Sequence, residues 1–548
     1  MHTPFLPPTT SEGAVDLARL SALIIDDSEL HRSVLTRLLR DLGVRQVHVA
    51  RRPEEAHRMI KAAAQPYDII VSEFHFEGRS EHDMSGQDLL DELRHAKGLP
   101  LQTAFIMVTD EARHPQVASA LEGALDDYLL KPISRAQFEE RLAVVLARKG
   151  AFKEVFQAIT AGDYAGAARL CERMFSADSP YKVYAARIGS ELYLRLQDLA
   201  AARRMFEALL AYKAVPWARL GLARIELESA GAEQACRSLE TLLAENPAYV
   251  DAYDVYGRAL LEKMEFAAAV EVFRKAVLIS PGNVSRLQKL GSLQLYLGDD
   301  AEAAAHQAAA LDIGAHSRAL DFQGLVDLGV ASLELGAKRG QENIERAHKL
   351  MQETLMRRPD SYRLHLLKQA LDVVLALHLR QTEAVASGLA GLAAELAQPD
   401  FSFEMAGSLI QLIARSAGTQ PLPGARDWVA RATQRFCVSQ QRTRLLELAA
   451  ARLPALQELV RENAAGINEQ AREAMGHLVN RKPELTLRSL VGLAQRSLNG
   501  RIIKLAQATL EHHGQHLDTE LAQRLGAEIG QLKAAGAPRQ IVSRSEGP

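Results

Sequence analysis

Five side chains in the N-terminal quarter have types that could do chemistry together: the adjacent carboxylates of Asp26 and Asp27, a third at Glu73, the hydroxyl of Thr109 and the ammonium of Lys131. Gathered at one point they would make either a reactive charged pocket or a structural ion-pair cluster. Other groups carry metal-ligand types. His75, His82 and Asp83 have a spacing that matches no ligand set, and read as an exposed polar loop. In Glu511-His512-His513-Gly514-Gln515-His516 the order HExxH is absent and Gly514 interrupts the helix, so His512 and His516 read as a surface helix end. Cys171, Cys236 and Cys437 are scattered without CxxC or Cys/His spacing, which argues against a disulfide framework or a zinc site and fits a reducing compartment.

The elements that must position the five groups can be read from the apolar pattern. Ala-Leu-Ile-Ile-Asp-Asp, residues 22–27, is a short buried run ending in two carboxylates and predicts a parallel strand. A helix-period stretch follows, with Leu30, Val34, Leu35, Leu38, Leu39 and Leu42 expected on one face and Gly43 closing it. Further apolar runs over 47–49, 67–71, 104–108 and 128–130 alternate with helical segments. Such alternation implies a doubly wound α/β domain with its site at the carboxyl ends of the strands. The chemistry-bearing residues fall there: Asp26 and Asp27 close the first strand, Glu73 the third, Thr109 the fourth and Lys131-Pro132 the fifth.

Over about residues 20–148 the sequence resembles the receiver domains of two-component response regulators, whose fold is flavodoxin-like. The marks are Leu-Ile-Ile-Asp-Asp, Tyr-Asp-Ile-Ile-Val-Ser-Glu, Ile-Met-Val-Thr and Asp-Asp-Tyr-Leu-Leu-Lys-Pro-Ile, with Thr109 and Lys131 at the family's usual separation of 22 positions. The resemblance implies that Asp26 and Asp27 hold Mg²⁺ through oxygen ligands, since a hard cation neutralises a phosphoryl group in transfer. It also implies that Lys131 pairs with phosphoryl oxygens, that Thr109 donates a hydrogen bond to them, and that Tyr128 follows Thr109 inward.

Glu73 departs from that pattern, because the phosphoacceptor position should be aspartate. Glutamate carries its carboxylate one methylene further out, and a misplacement of about 1 Å can cost on the order of a hundredfold in rate. Ordinary phosphorylation is therefore not expected. The glutamate either mimics an activated state, with about one unit of charge against roughly 1.5 to 2 for a phosphoryl group, or marks a degenerate site where the ion-pair cluster is structural. The stretch from Glu73 to Gly86 is also about five residues longer than is usual in the family and lacks its proline.

No Gly/Ser/Pro-rich linker follows. Phe138, Val145, Phe152 and Ile159 recur every seven residues, with Leu142 and Phe156 beside the same stripe, which predicts one helix or two nearly collinear ones with Gly150 as the weak point. Beyond residue 153 helix follows helix. Pro247 and Pro281 lie 34 residues apart, and Tyr253, Tyr256, Gly257, Ala269, Phe273 and Ala276 between them fill the large and small positions of a tetratricopeptide repeat. Leu287, Leu290, Gly291, Ala303 and Ala310 repeat the offsets, and Trp217, Leu220, Gly221, Ala235 and Leu239 precede them. This region resembles tetratricopeptide proteins, with about five helix pairs expected over 153–315, and the resemblance implies a concave surface that holds a peptide or helix of a partner.

The expected organisation is a tail over residues 1–19, a receiver over 20–148, repeats over 149–315, further helical repeats or a bundle over 316–535 and a polar tail over 536–548. A net charge of -3, from 65 basic and 68 acidic residues, makes no electrostatic case for nucleic acid or an anionic membrane. No stretch approaches 18 uninterrupted apolar residues and the N-terminus lacks a signal pattern, so a cytoplasmic protein without membrane insertion is expected. No glycine-rich phosphate loop, nucleophile elbow or helix-turn-helix stands out, which argues against an enzyme or transcription factor. The reading that results is a non-enzymatic signalling adaptor that binds protein through its repeats, with a sensor histidine kinase as a candidate second partner. Its rivals are a phosphorylation-switched response regulator and an enzyme hidden in the C-terminal half.

Overall fold

A computed structural model of the chain describes residues 17–74, 76, 86, 89–90, 93, 99–109, 126–177, 179–315, 319–417 and 422–536. Most of both tails, together with His75, His82 and Asp83, lies outside these residues.

The first domain contains, in chain order among the described residues, β1 (Ser21–Ile25), α1 (Glu29–Asp41), β2 (Gln46–Ala50), α2 (Pro53–Ala62), β3 (Ile69–Glu73), β4 (Ala104–Thr109), β5 (Asp127–Leu130) and α3 (Arg135–Ala151). The strands form one parallel sheet in the order β2-β1-β3-β4-β5. Every residue of β3 and β4 is buried, as expected where helices cover both faces of a parallel sheet. Ile24, Val71 and Ile106 pack against Leu35, Leu38 and Leu39 of α1 and Phe138, Leu142 and Val145 of α3 on one face. Leu23, Ile70, Phe105 and Met107 pack with Ala56 of α2 and with Leu89, Leu90 and Leu93 on the other.

The helix-period expectation for α1 needs correction. Leu35, Leu38 and Leu39 face the core, but Leu30 and Val34 are 70% and 45% exposed. At about 100° per residue those two sit on a separate side of the helix from the buried trio. The solvent side of α1 thus carries an apolar pair beside the sheet's carboxyl edge.

Between the domains the heptad stripe is real but divided. Phe138, Leu142 and Val145 belong to the sheet core, whereas Phe152 and Phe156 belong to the next core. Phe152 itself breaks the helix, with φ -97 and ψ 10, before α4 (Lys153–Thr160) begins.

Helix pairs follow: α4 with α5 (Tyr164–Ser176), α6 (Lys182–Arg195) with α7 (Leu199–Tyr212), α8 (Pro216–Ser229) with α9 (Ala232–Glu245), α10 (Val250–Glu262) with α11 (Phe266–Ile279), and α12 (Val284–Leu297) with α13 (Asp300–Gly314). Gly162 and Gly298 adopt φ +81 and φ +84 at the turns within two pairs. Asp163 and Asp299 come next and cap the second helix by accepting the backbone N–H of Gly166 and Glu302, so each Gly-Asp dipeptide ends one helix and starts another.

The pairing continues through α14 (Gln323–Ser332), α15 (Ala337–Arg357), α16 (Tyr362–His378) and α17 (Thr382–Ala394). Then α18 (Phe403–Ser416) leaves the stack and lies across the layer formed by α12, α14 and α16. Gln323 of α14 donates to the Ser408 hydroxyl at 2.9 Å, and the hydroxyl of Tyr296 in α12 occupies the space beside Gly407. The carboxylate of Asp300 accepts from Arg415 at 2.7 Å and also from Arg452. After it come α19 (Ala425–Phe436), α20 (Gln440–Ala449), α21 (Pro454–Val479), α22 (Pro483–Ser497), α23 (Gly500–His513) and α24 (Thr519–Gly536), and α21 to α24 enclose a core of their own. Among the described residues no helix is long and apolar enough to cross a membrane.

Candidate functional site

Four of the five groups singled out from the sequence sit buried at the carboxyl edge of the sheet. Asp26 follows β1, and its backbone N–H donates to Ala50 at the end of β2. Its side chain is then fixed by the turn into α1: Oδ1 accepts the backbone N–H of Ser28 at 2.8 Å, and Ser28 caps that helix. Arg32, one turn into α1, donates to the carbonyls of Asp26 at 2.7 Å and Asp27 at 2.8 Å. The acidic pair therefore sits on a backbone locked by a buried guanidinium, which the sequence reading did not single out. Ser28 and Arg32 carried a local signal, as a cap residue and a cation just after the carboxylates.

Glu73 closes β3 and is 5% exposed. Its Oε1 accepts the backbone N–H of Phe74 at 2.7 Å, and its Oε2 accepts from the ammonium of Lys131. Gly86 returns the chain beside it, donating its N–H to the Phe74 carbonyl at 3.2 Å. A Cβ on Gly86 would collide with the Glu73 carbonyl, so only glycine lets the chain approach here.

Lys131 follows β5, and its backbone N–H donates to the Thr109 carbonyl at 2.9 Å. Its Nζ donates to Asp26 Oδ2 at 3.1 Å and lies 2.7 Å from His31 Nδ1. Burial alone would push this ammonium down, but the carboxylates of Glu73 and Asp26 outweigh it and hold its pKa above the ordinary lysine value. His31 was not anticipated. It sits five residues after Asp26, in the first turn of α1, where only the folded helix turns it towards the pocket. Thr109 is buried at the end of β4, and Tyr128 pairs in register with Met107 two residues before it, partly buried on the same face of the sheet.

The oxygen donors of Asp26, Asp27 and Glu73 are of the type a hard cation takes. Their arrangement does not suit one. The Lys131 ammonium stands between Asp26 and Glu73, and among the described residues no group of three His, Cys, Asp or Glu side chains is set to hold a metal ion. That statement covers His512 and His516, which are exposed. Their neighbour ring contact, between His513 and His516, spans 6.4 Å.

The repeat-signature residues are packing residues. Gly221 and Gly257 lie directly beneath the rings of Phe206 and Phe273, and Gly291 faces Gln307. Trp217 meets Phe206 edge-on at 6.2 Å, and Leu220, Ala269, Ala276, Leu290 and Ala303 are buried. Tyr253 donates to the Pro247 carbonyl and Tyr256 to Glu240, while Pro281 follows the end of α11. The expected ligand-holding surface is partly covered, since α18 packs on α14 and α16 and meets Tyr296 of α12, whereas among the described residues no packing of that extent joins it to α6, α8 or α10.

The sheet and the repeats meet through Asp126, which precedes β5 at its amino end, away from the pocket. It accepts the Phe105 N–H at 2.9 Å and pairs with Lys149 at 2.8 Å and Arg148 at 3.5 Å, both in α3. Lys149 also donates to the Leu101 carbonyl at 2.6 Å and lies over the Phe156 ring of α4.

Residues 22–143 match the family model of the response regulator receiver domain. The chain is 30% identical over 132 residues to chemotaxis protein CheY-3 of Vibrio cholerae, covering 24% of this chain and 93% of that protein. It is 29% identical over 132 residues to chemotaxis protein CheY of Pseudomonas aeruginosa, covering 24% and 98%. A solved structure of the C-terminal part of a TPR repeat-containing protein from Cytophaga hutchinsonii covers 44% of this chain and 94% of its own at 13% identity, with a TM-score of 0.34.

Proposed function

This chain belongs, through residues 22–143, to the response regulator receiver family, and from that premise we propose that it is a non-enzymatic signalling adaptor of a two-component pathway whose helical repeats bind a partner protein. The observation that carries the proposal is the double engagement of Glu73. With Oε1 tied to its neighbour's backbone and Oε2 to Lys131, the residue at the acceptor position is already neutralised and held. An in-line attack needs a nucleophile free to meet phosphorus at about 3 Å, and this carboxylate is turned to an internal partner instead. The pocket is thus a pseudo-receiver that displays one fixed state to the repeats.

The face of α6, α8 and α10 that would continue the layer beneath α18 is the surface we assign to the partner, a protein segment laid along stacked helices. A sensor histidine kinase is the natural second partner at the receiver, where Leu30 and Val34 expose an apolar pair beside the pocket. The setting we assign is the cytoplasm.

Incubation of the full chain with a small phosphodonor and Mg²⁺, beside Glu73→Asp, tests the receiver half. Wild type should remain unlabelled. Stoichiometric labelling of wild type would establish a phosphorylation-switched regulator and overturn the adaptor reading.

A further inference from the structure

Three carboxylates at the ends of two neighbouring strands need a positive charge among them, because buried like charges without one are strongly destabilising. The pocket already contains that charge. Lys131, with its side chain 8% exposed, meets Asp26 Oδ2 and Glu73 Oε2. It also lies 2.7 Å from His31 Nδ1. On the carboxylate side, Asp26 Oδ1 is held by Ser28 and Glu73 Oε1 by Phe74. A divalent cation entering between the strands would have to displace Lys131 from two carboxylates and strand an ammonium in a buried site.

The extra methylene of glutamate explains why the lysine fits so closely. The longer arm carries the carboxylate across the pocket mouth to Nζ, while its other oxygen folds back onto the adjacent N–H. We propose that Lys131 is the resident cation of this pocket, and that the Glu73–Lys131–Asp26 bridge excludes the divalent metal that the carboxylates would otherwise bind. This does not depend on whether the repeats bind a partner, and metal binding is read separately from phosphoryl labelling.

Isothermal titration of MgCl₂ into the full chain, with NaCl at matched ionic strength as the control, tests the proposal on wild type, Lys131→Met and Glu73→Asp. Wild type should show no saturable binding up to millimolar Mg²⁺. Lys131→Met, which keeps the volume and removes the charge, should bind at one site at least about tenfold more tightly, and Glu73→Asp, which withdraws the carboxylate from Nζ, should gain binding in the same direction. Saturable binding by wild type as tight as that of the variants overturns the proposal, and so does a failure of both variants to gain binding. If Lys131→Met does not fold, as judged by its circular dichroism, Glu73→Asp alone decides in the same way.

Discussion

The guanidinium of Arg148, in the last helix of the receiver, stacks 4.8 Å over the ring of Tyr184 in the second helix pair. Tyr184 in turn meets Phe152, the residue between the two domains, edge-on at 4.8 Å. Since Arg148 also donates to the Asp126 carbonyl at 2.7 Å, one side chain ties the start of β5 to the repeats.

That stack should be measurable as coupling. A cation–π contact of this kind contributes about 0.5–1 kcal/mol, so Arg148→Ala and Tyr184→Ala should each speed amide hydrogen exchange in α3 to α6 by about two- to fivefold. The double variant should lose less than the sum of the two single ones. Full additivity would show that the two side chains act separately.

The glycines of the helical region should respond in opposite directions. A methyl group at Gly257 would enter the ring of Phe273, and overpacking of this kind costs about 1–3 kcal/mol. Nothing lies within 4 Å of the Cβ position at Gly150 in α3, so Gly150→Ala should gain up to about 1 kcal/mol from helix propensity. Thermal unfolding followed by circular dichroism should therefore show Gly257→Ala melting lower and Gly150→Ala higher than wild type.

The turn between α6 and α7 should be improvable. Gln197 occupies φ +59 where the equivalent turns carry Gly162 and Gly298. A left-handed non-glycine residue costs roughly 1–2 kcal/mol, partly offset by the entropy of an unfolded glycine. Gln197→Gly should gain about 0.5 kcal/mol net, and Gly162→Ala should lose about 1 kcal/mol, both read as shifts in urea midpoint.

Stability should fall as pH rises through the mildly acidic range. Burial pushes Asp327 of α14 up to about 6, against hydrogen bonds from Ser292 and Gln323, with the carboxylates of Asp321 and Glu404 adding to the rise. The folded state therefore holds a proton that the unfolded state, titrating at the ordinary value of 3.8, has released. Its stabilisation is present below that value and is lost as pH climbs to about 6, by up to about 3 kcal/mol. Asp327→Asn should flatten this part of the urea-midpoint profile, and an unchanged slope would place the proton elsewhere.

Much of the receiver was legible because its signals are local. Ile69 to Val71 and Ala104 to Val108 read as buried strands because both faces of a central parallel strand are covered, and the carboxylates, hydroxyl and ammonium fell at strand ends by sequence order alone. The single helix-period error, at Leu30 and Val34, arose because apolarity marks burial only in one direction; exposed leucines and valines are ordinary. His31 was missed for the opposite reason, since a lone histidine in a first helical turn carries no signal until the helix is docked.

In the repeats, the 34-residue period of small residues was enough to place Gly257 against its neighbour helix, because close approach of two helices demands a missing side chain at a fixed offset. It carried no information about α18. The contacts that set that helix across the repeat layer join Gln323 to Ser408 and Asp300 to Arg415 and Arg452, residues 85, 115 and 152 positions apart. By itself the sequence determined the two fold classes, their order and the carboxylates, hydroxyl and ammonium of the pocket, because hydrophobic period and strand-end chemistry are properties of neighbouring residues. Only the tertiary structure decided that Glu73 turns to Lys131 and Phe74, and that α18 closes part of the repeat surface by packing on α14 and α16. Those outcomes depend on which distant side chains share one buried volume, and no local pattern records that.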